Sequence, residues 1–199
     1  LDFELEAGPE VLRPRGETEI LAEQAIAIAA REGCKRIADW GCGSGALALA
    51  LAAKMPAARI EACDLSAAAC ATARRNLGRL GLENVEVREG DWLACAGPYD
   101  LIVSNPPYVT SALSARLREA GDLADPLLAL DGGPDGLACF GGLIPHAWKC
   151  LAPGGTLACE HGIAQHERIT KMLAAAGFVS ISAVRDYQQL KRVIVARRP

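Results

Sequence analysis

The sequence predicts an α/β domain: a doubly wound, mostly parallel sheet of seven strands, finished by a C-terminal antiparallel hairpin. Two observations predict it. Short apolar runs alternate with longer segments whose apolar residues recur at helical spacing, and the connections between them are short. The first of those runs also leads through the glycine-rich Asp39-Trp40-Gly41-Cys42-Gly43-Ser44-Gly45 straight into a helical segment.

The elements follow in order. Glu17-Thr18-Glu19 opens a helix with Ile20, Leu21, Ala25 and Ile28 on its apolar stripe, ending near Gly33. Lys35 to Asp39 is a short strand, and Ser44 to Lys54 an Ala- and Leu-rich helix closed before Pro56. Arg59 to Cys63 is the second strand, and Ser66 caps a helix running towards Gly81. Val85 to Arg88 and Tyr99 to Ser104 are the third and fourth strands. Gly, Asp and Pro make Thr110 to Asp135 an irregular stretch. Gly136 to Leu151 then reads as helix, Thr156 to Glu160 as strand, and Gln165 to Ala176 as helix. Phe178 to Arg185 and Arg192 to Arg197 form the closing hairpin.

At 199 residues, with no internal repeat or low-complexity linker, the sequence is the size of one domain with a substantial core. Hydrophobic residues make up 51% and charged residues 23%, a globular balance, and the net charge of −3 argues against a broad basic surface for nucleic acid. None of the eight cysteines falls in a Cys-x-x-Cys pair and several lie inside apolar runs, so they read as buried, reduced thiols of a cytoplasmic protein. Neither a membrane span nor a leader peptide is evident.

Glycines at alternate positions of the 41–45 loop let the backbone turn sharply and approach a ligand, and the helix that follows points its unpaired N–H groups at it. The spacing is Gly-x-Gly-x-Gly, not the Gly-x-Gly-x-x-Gly of dinucleotide sites, and the lysine of a phosphate-binding loop is missing. The second strand runs into Asp64, whose carboxylate can accept hydrogen bonds from ribose hydroxyls. Gly90-Asp91-Trp92 follows the third strand and offers a carboxylate and a ring to an adenine.

The fourth strand ends in Ser104-Asn105-Pro106-Pro107-Tyr108. Two prolines make a stiff loop that presents carbonyl oxygens without competing N–H donors. With the Asn105 side-chain oxygen and the Tyr108 ring, this set suits a planar –NH2: two acceptors for its hydrogens and an aromatic face over its plane. Fixing both hydrogens of such a nitrogen, on Asn105 and on the Pro106 carbonyl, turns its lone pair towards an electrophile and stabilises the positive charge that develops.

With these motifs in place, the sequence resembles the class I, Rossmann-like S-adenosylmethionine-dependent methyltransferases. More narrowly it resembles the protein-glutamine N5-methyltransferases that modify peptide chain release factors. The likeness runs nearly end to end: Val11 to Glu19 resembles the family's opening motif, Asp39 to Gly45 its cofactor loop, and Ile102 to Tyr108 its catalytic loop. Leu127 to Leu137, Gly154-Gly155-Thr156 and Glu160-His161-Gly162-x-x-Gln165 also have counterparts. Arg13 and Gly16 replace the family's Ile and second Pro, Asp125-Pro126 its Glu-Pro, and Asp186 to Arg192 departs from its usual ending.

The resemblance implies that S-adenosylmethionine is held by Gly41, Cys42, Gly43, Ser44, Gly45, Asp64, Asp91, Trp92 and Asn105, leaving as S-adenosylhomocysteine, with no metal. It implies an acceptor glutamine on Asn105, Pro106, Pro107 and Tyr108, with Asn105, Pro106 and Tyr108 as the catalytic set. The expected partner is a protein, a release factor or else a ribosomal protein, met by a cytoplasmic monomer without membrane contact. Family members usually carry a small helical domain ahead of the catalytic one. Residues 1–199 are expected to be the catalytic domain alone, with 1–33 as its leading segment. Because Asn-Pro-Pro-Tyr also occurs in enzymes that methylate exocyclic amines of adenine or guanine, a nucleic-acid acceptor is the second reading. A catalytically silent cofactor-binding module is the third. His161 and His166 lack the spacing of a helical metal pair, His146 reads as surface or interface, and Glu160 and Gln165 as packing, hydrogen-bonding or acceptor contacts. Lys191-Arg192 and Arg197-Arg198 read as a solvated end.

Overall fold

A computed structural model describes residues 4–120 and 125–199. One sheet of seven strands organises them: β1 (Arg36–Trp40), β2 (Arg59–Asp64), β3 (Val85–Glu89), β4 (Tyr99–Ser104), β5 (Leu151–Glu160), β6 (Val179–Arg185) and β7 (Lys191–Arg197). Their order is β3-β2-β1-β4-β5-β7-β6, so the strand sequence reverses direction between β1 and β4. Ligand crevices of open α/β sheets lie at such a switch, beyond the C-terminal ends of the strands. The first five strands pair in parallel, while β7 runs antiparallel to both β5 and β6, which is the expected hairpin.

Among the described residues seven helices accompany the sheet: α1 (Gly16–Glu32), α2 (Ala46–Lys54), α3 (Ala67–Arg79), α4 (Ser111–Glu119), α5 (Leu127–Leu130), α6 (Ala138–Cys150) and α7 (His166–Ala175). Period-two alternation sends Ile37, Leu101, Val103, Ala158 and Val193 into the core beneath α1 and α2. Their neighbours Ala38, Ile102, Leu157 and Ile194 enter the core beneath α6 and α7. Both faces are therefore covered, and the central strands read as continuous apolar runs. Leu47 to Ala52 of α2 are all buried, as befits a helix apolar on every side.

Three elements differ from the sequence reading, the first being the short helix α5, which lies in the stretch expected to be irregular. Residues 111–119, expected to be irregular, form α4, capped by the Thr110 hydroxyl on the N–H of Leu113. Only Ser114 of that helix is buried, so no apolar stripe marks it in the sequence. Residues 121–124 of the same stretch lie outside the described residues. Strand β5 begins at Leu151 instead of Thr156 because Gly154 and Gly155 pair with Arg198 and Leu151 with Tyr99, recruiting a segment that reads locally as a turn. Among the described residues no helix is long and apolar enough to cross a membrane.

Candidate active site

The glycine loop joins β1 to α2. Gly41, Gly43 and Gly45 all have positive φ, +75°, +54° and +83°, which a side chain would strain. The N–H groups of Gly41 and Cys42 donate to the Cys63 carbonyl at 2.8 and 2.9 Å, tying the loop to β2. Asp64 braces it from the other side: Oδ2 accepts from Gly43 N and Oδ1 from Ser66 N, each at 2.9 Å. Asp39 lies fully buried beneath, with Oδ2 accepting from Ala48 N at 3.0 Å and Oδ1 without a partner. Burial pushes its carboxyl up to about 7.

Above the loop opens a cavity of about 220 Å³. Of the nine residues expected to hold a cofactor, Gly41, Cys42, Gly43, Ser44, Asp64, Trp92 and Asn105 line it. Gly45 and Asp91 stand back from the wall. A Cβ on Gly45 would press on Ala73 of α3 at 3.1 Å, so this glycine serves helix packing. Asp91 Oδ1 accepts from Leu93 N at 2.9 Å and caps the short turn Trp92–Ala94. A Cβ on Gly41 would lie 3.5 Å from the Trp92 ring, so glycine and indole close one end of the cavity between them.

The leading segment supplies wall that the sequence reading did not assign: Glu10, Val11, Leu12, Pro14 and Thr18. It is lashed to α3 where Asn76 exchanges hydrogen bonds with the Glu6 backbone and Thr72 donates to Glu10 at 2.7 Å. Asp125 holds its other end, accepting from Arg13 N at 3.3 Å and pairing with Arg15 at 3.2 Å. The shorter acid at 125 thus keeps a carboxylate function of its own.

A second, smaller cavity of about 40 Å³ is lined by Leu12, Arg15, Asn105, Tyr108, Val109, Ala129 and Leu130. Asn105 borders both spaces. Its Nδ2 donates to Thr18 Oγ1 at 3.2 Å, whereas among the described residues its buried Oδ1 has no partner. Pro106 is buried, and among the described residues no donor reaches its carbonyl oxygen. Pro107 faces the larger cavity and Tyr108 the smaller. Tyr108 is anchored along its length: its carbonyl accepts from Gln165 Nε2 and its hydroxyl donates to Glu160 Oε1, both at 2.8 Å.

Glu160 is expected to serve in packing, hydrogen bonding or acceptor contact. It is 1% exposed, and burial raises its carboxyl pKa while bonds from Tyr108 and Thr18 and the charge of Arg192 oppose the rise. Arg192, expected in a solvated end, is 8% exposed, donates to the Tyr108 hydroxyl at 3.2 Å and pairs with Glu17 at 3.5 Å. The alternation of β7 turns it inwards, which a lone basic doublet does not disclose. His146, expected at a surface, is half-buried against Trp40 with Nε2 3.1 Å from the Cys95 carbonyl. His161 and His166 face each other at 3.2 Å, and burial drives His161 down to about 4. Among the described residues no group of three or more His, Cys, Asp or Glu is placed to hold a metal ion.

A seven-stranded α/β sheet with a glycine loop and acidic residue at its switch point defines the methyltransferase class. The family described as Methyltransferase small domain matches residues 16–120. A methyltransferase from Pyrococcus furiosus superposes with a TM-score of 0.71 over 98% of this chain and 88% of its own, at 19% identity. The particular branch follows from closer relatives. A release factor glutamine methyltransferase of Xylella fastidiosa is 44% identical over 94% of this chain and 69% of its own length. One from Gloeobacter violaceus is 39% identical over 98% and 69%. The chain belongs to the release factor glutamine methyltransferase family. Fold and family imply S-adenosylmethionine as methyl donor, and the larger cavity fits it: a loop open to close backbone approach, the Asp64 carboxylate in the wall beside that loop, and an indole at the end.

Proposed function

We propose that this chain transfers a methyl group from S-adenosylmethionine to the side-chain amide nitrogen of a glutamine in a peptide chain release factor. The observation that carries the reading is the unpartnered, buried Oδ1 of Asn105 at the junction of the two cavities. A buried acceptor without a donor costs about 1–3 kcal/mol, and an incoming amide N–H relieves that cost. When bound, the cofactor supplies an electrophilic sulfonium methyl; Gly41, Cys42, Gly43, Ser44, Asp64 and Trp92 would hold it.

Asn105 Oδ1 accepts one hydrogen of the acceptor amide, and the Pro106 carbonyl accepts the other. A carboxamide nitrogen is a poor nucleophile because its lone pair conjugates with C=O. Holding both hydrogens turns that lone pair towards the larger cavity, the two oxygens bind more strongly as positive charge grows on nitrogen, and one of those hydrogens leaves as a proton to solvent after the transfer. Tyr108 covers the amide plane; its hydroxyl, fixed by Glu160 and Arg192, keeps the ring from turning away. Holding the acceptor beside a bound cofactor would add a proximity contribution that reaches about 7–11 kcal/mol in well-oriented systems.

The test incubates the protein with methyl-labelled cofactor and either a purified release factor or structured RNA, then maps the label by mass spectrometry. Label on a glutamine side chain of the release factor is the expected result. Label on RNA amines alone, or on neither acceptor, overturns the reading.

A further inference from the structure

The Asn105 amide has two ends, and only one of its orientations offers an oxygen to the acceptor. Nothing within Asn105 itself decides between them, so the choice must come from its neighbours. Thr18 Oγ1 carries a single hydrogen, and that hydrogen is committed to Glu160 Oε2 at 2.9 Å. Its remaining capacity towards Asn105 is to accept, which is satisfied only by Nδ2, at 3.2 Å. The same carboxylate takes the Tyr108 hydroxyl proton on Oε1 at 2.8 Å, leaving the phenol oxygen to accept from Arg192 at 3.2 Å. A carboxylate without a proton can only accept, so every donor around it has a determined direction.

We propose that Glu160 and Thr18 are positioning residues for methyl transfer: the buried carboxylate orients the Thr18 hydroxyl, and the hydroxyl in turn keeps the Asn105 amide nitrogen away from the acceptor and its oxygen towards it. The proposal rests on the function given above. Its three members, Thr18, Asn105 and Glu160, come from α1, the loop after β4, and β5, and Glu160 and Thr18 are both buried. Inverted, Asn105 would set its oxygen against the Thr18 oxygen and an N–H against the acceptor's own N–H, which abolishes the clamp. Glu160 also holds Tyr108, so one side chain organises both the hydrogen-bond clamp and the aromatic cover.

Thr18→Val removes the hydroxyl while keeping shape, and Thr18→Ser keeps the hydroxyl while removing a methyl. Thr18→Val should lower kcat at least about tenfold, the cost of a missing buried hydrogen bond, with KM for cofactor and acceptor within about twofold. Thr18→Ser should recover most of that loss. A Val variant with wild-type kcat, or a Ser variant as slow as Val, overturns the proposal, because packing alone would then account for Thr18. A readout without turnover covers misfolding and the absence of an acceptor. In 15N-labelled wild-type protein the Asn105 side-chain amide, assigned by its disappearance in Asn105→Asp, should show one proton protected from solvent exchange. If both its protons exchange freely in the wild type, the relay does not exist. Wild-type protein that methylates no release factor sinks the assigned function, and the Asn105 resonance still decides the relay.

Discussion

Removing the Asn105 side chain separates a catalytic role from a structural one, because its two ends contribute so unequally to the folded state. In Asn105→Ala the protein loses a single neutral bond, Nδ2 to Thr18 at 3.2 Å, while Oδ1 has no partner to lose. A bond of that kind contributes about 0.5–1.5 kcal/mol. For a chain of this size that is a fall in Tm of about 1–6 °C. Deleting an orphaned buried acceptor also removes a desolvation cost, which pulls the net effect to the lower end. The rate should behave oppositely. Losing one preorganised hydrogen bond to the reacting group costs about 100-fold or more. Thermal unfolding followed by circular dichroism and single-turnover methyl transfer, measured on one preparation, therefore give a small stability change beside a large rate change. Asn105→Asp refines the test: it keeps an acceptor oxygen but sets a second one against Thr18, so its rate should fall between alanine and wild type. A rate near wild type in the alanine variant, or a loss of stability that matches the loss of rate, refutes the amide clamp.

Three further outcomes follow from the same geometry. Asp64→Ala should weaken cofactor binding by about 1.5–3 kcal/mol, the range for bonds to a charged group, and unchanged calorimetric affinity would remove Asp64 from the site. Gly136→Ala should destabilise the loop that holds Tyr108, because its φ is +74° and a Cβ would collide with the Tyr108 carbonyl and the Gln165 amide; calorimetry should register about 1–3 kcal/mol, and a variant as stable as wild type contradicts the packing. Asp39 titrates near 7 in the fold against 3.8 in the unfolded chain, so the folded state binds the extra proton between those values and wild-type stability declines as pH rises through that window. Asp39→Asn should flatten the decline in Tm between about pH 4 and 7, and an unchanged slope would clear Asp39 of responsibility.

The fold was legible because its signals are local and repeated. The run Leu101-Ile102-Val103 is apolar at every position, since the strand is covered on both faces, and α2 is apolar all round for the same reason. Where burial is slight the signal fails. Helix α4 buries only Ser114, so its residues carry no periodicity, and its Thr110 cap is the one local sign of a start. The head of β5 failed for a different cause: Pro153, Gly154 and Gly155 have turn chemistry, and only the partner Arg198, far along the chain, makes them a strand.

The site divides along the same line. Motifs that work through their own backbone were readable, as the glycine loop and the Asn-Pro-Pro-Tyr loop show, because glycine and proline restrict conformation wherever they stand. Groups that work through partners were not. Thr18, Glu160 and Arg192 lie 142, 52 and 84 residues from the residues they bond, and each alone has an ordinary reading: a helix-start threonine, a strand-end acid, a basic tail. What distinguishes them is a joint property: Thr18 donates to Glu160, Tyr108 joins Glu160 to Arg192, and among the described residues Asn105 Oδ1 is left as an acceptor without a donor. A buried network of this kind does little for net stability, since desolvation offsets most of what its bonds return. Its benefit is orientation: Glu160 accepts from Thr18 on Oε2 and from Tyr108 on Oε1, so both hydroxyl hydrogens have one direction, and the chain of directions ends at the oxygen that meets the acceptor. The expense of burying Glu160 and Arg192 is thus intelligible as the cost of a catalytic amide that cannot turn over.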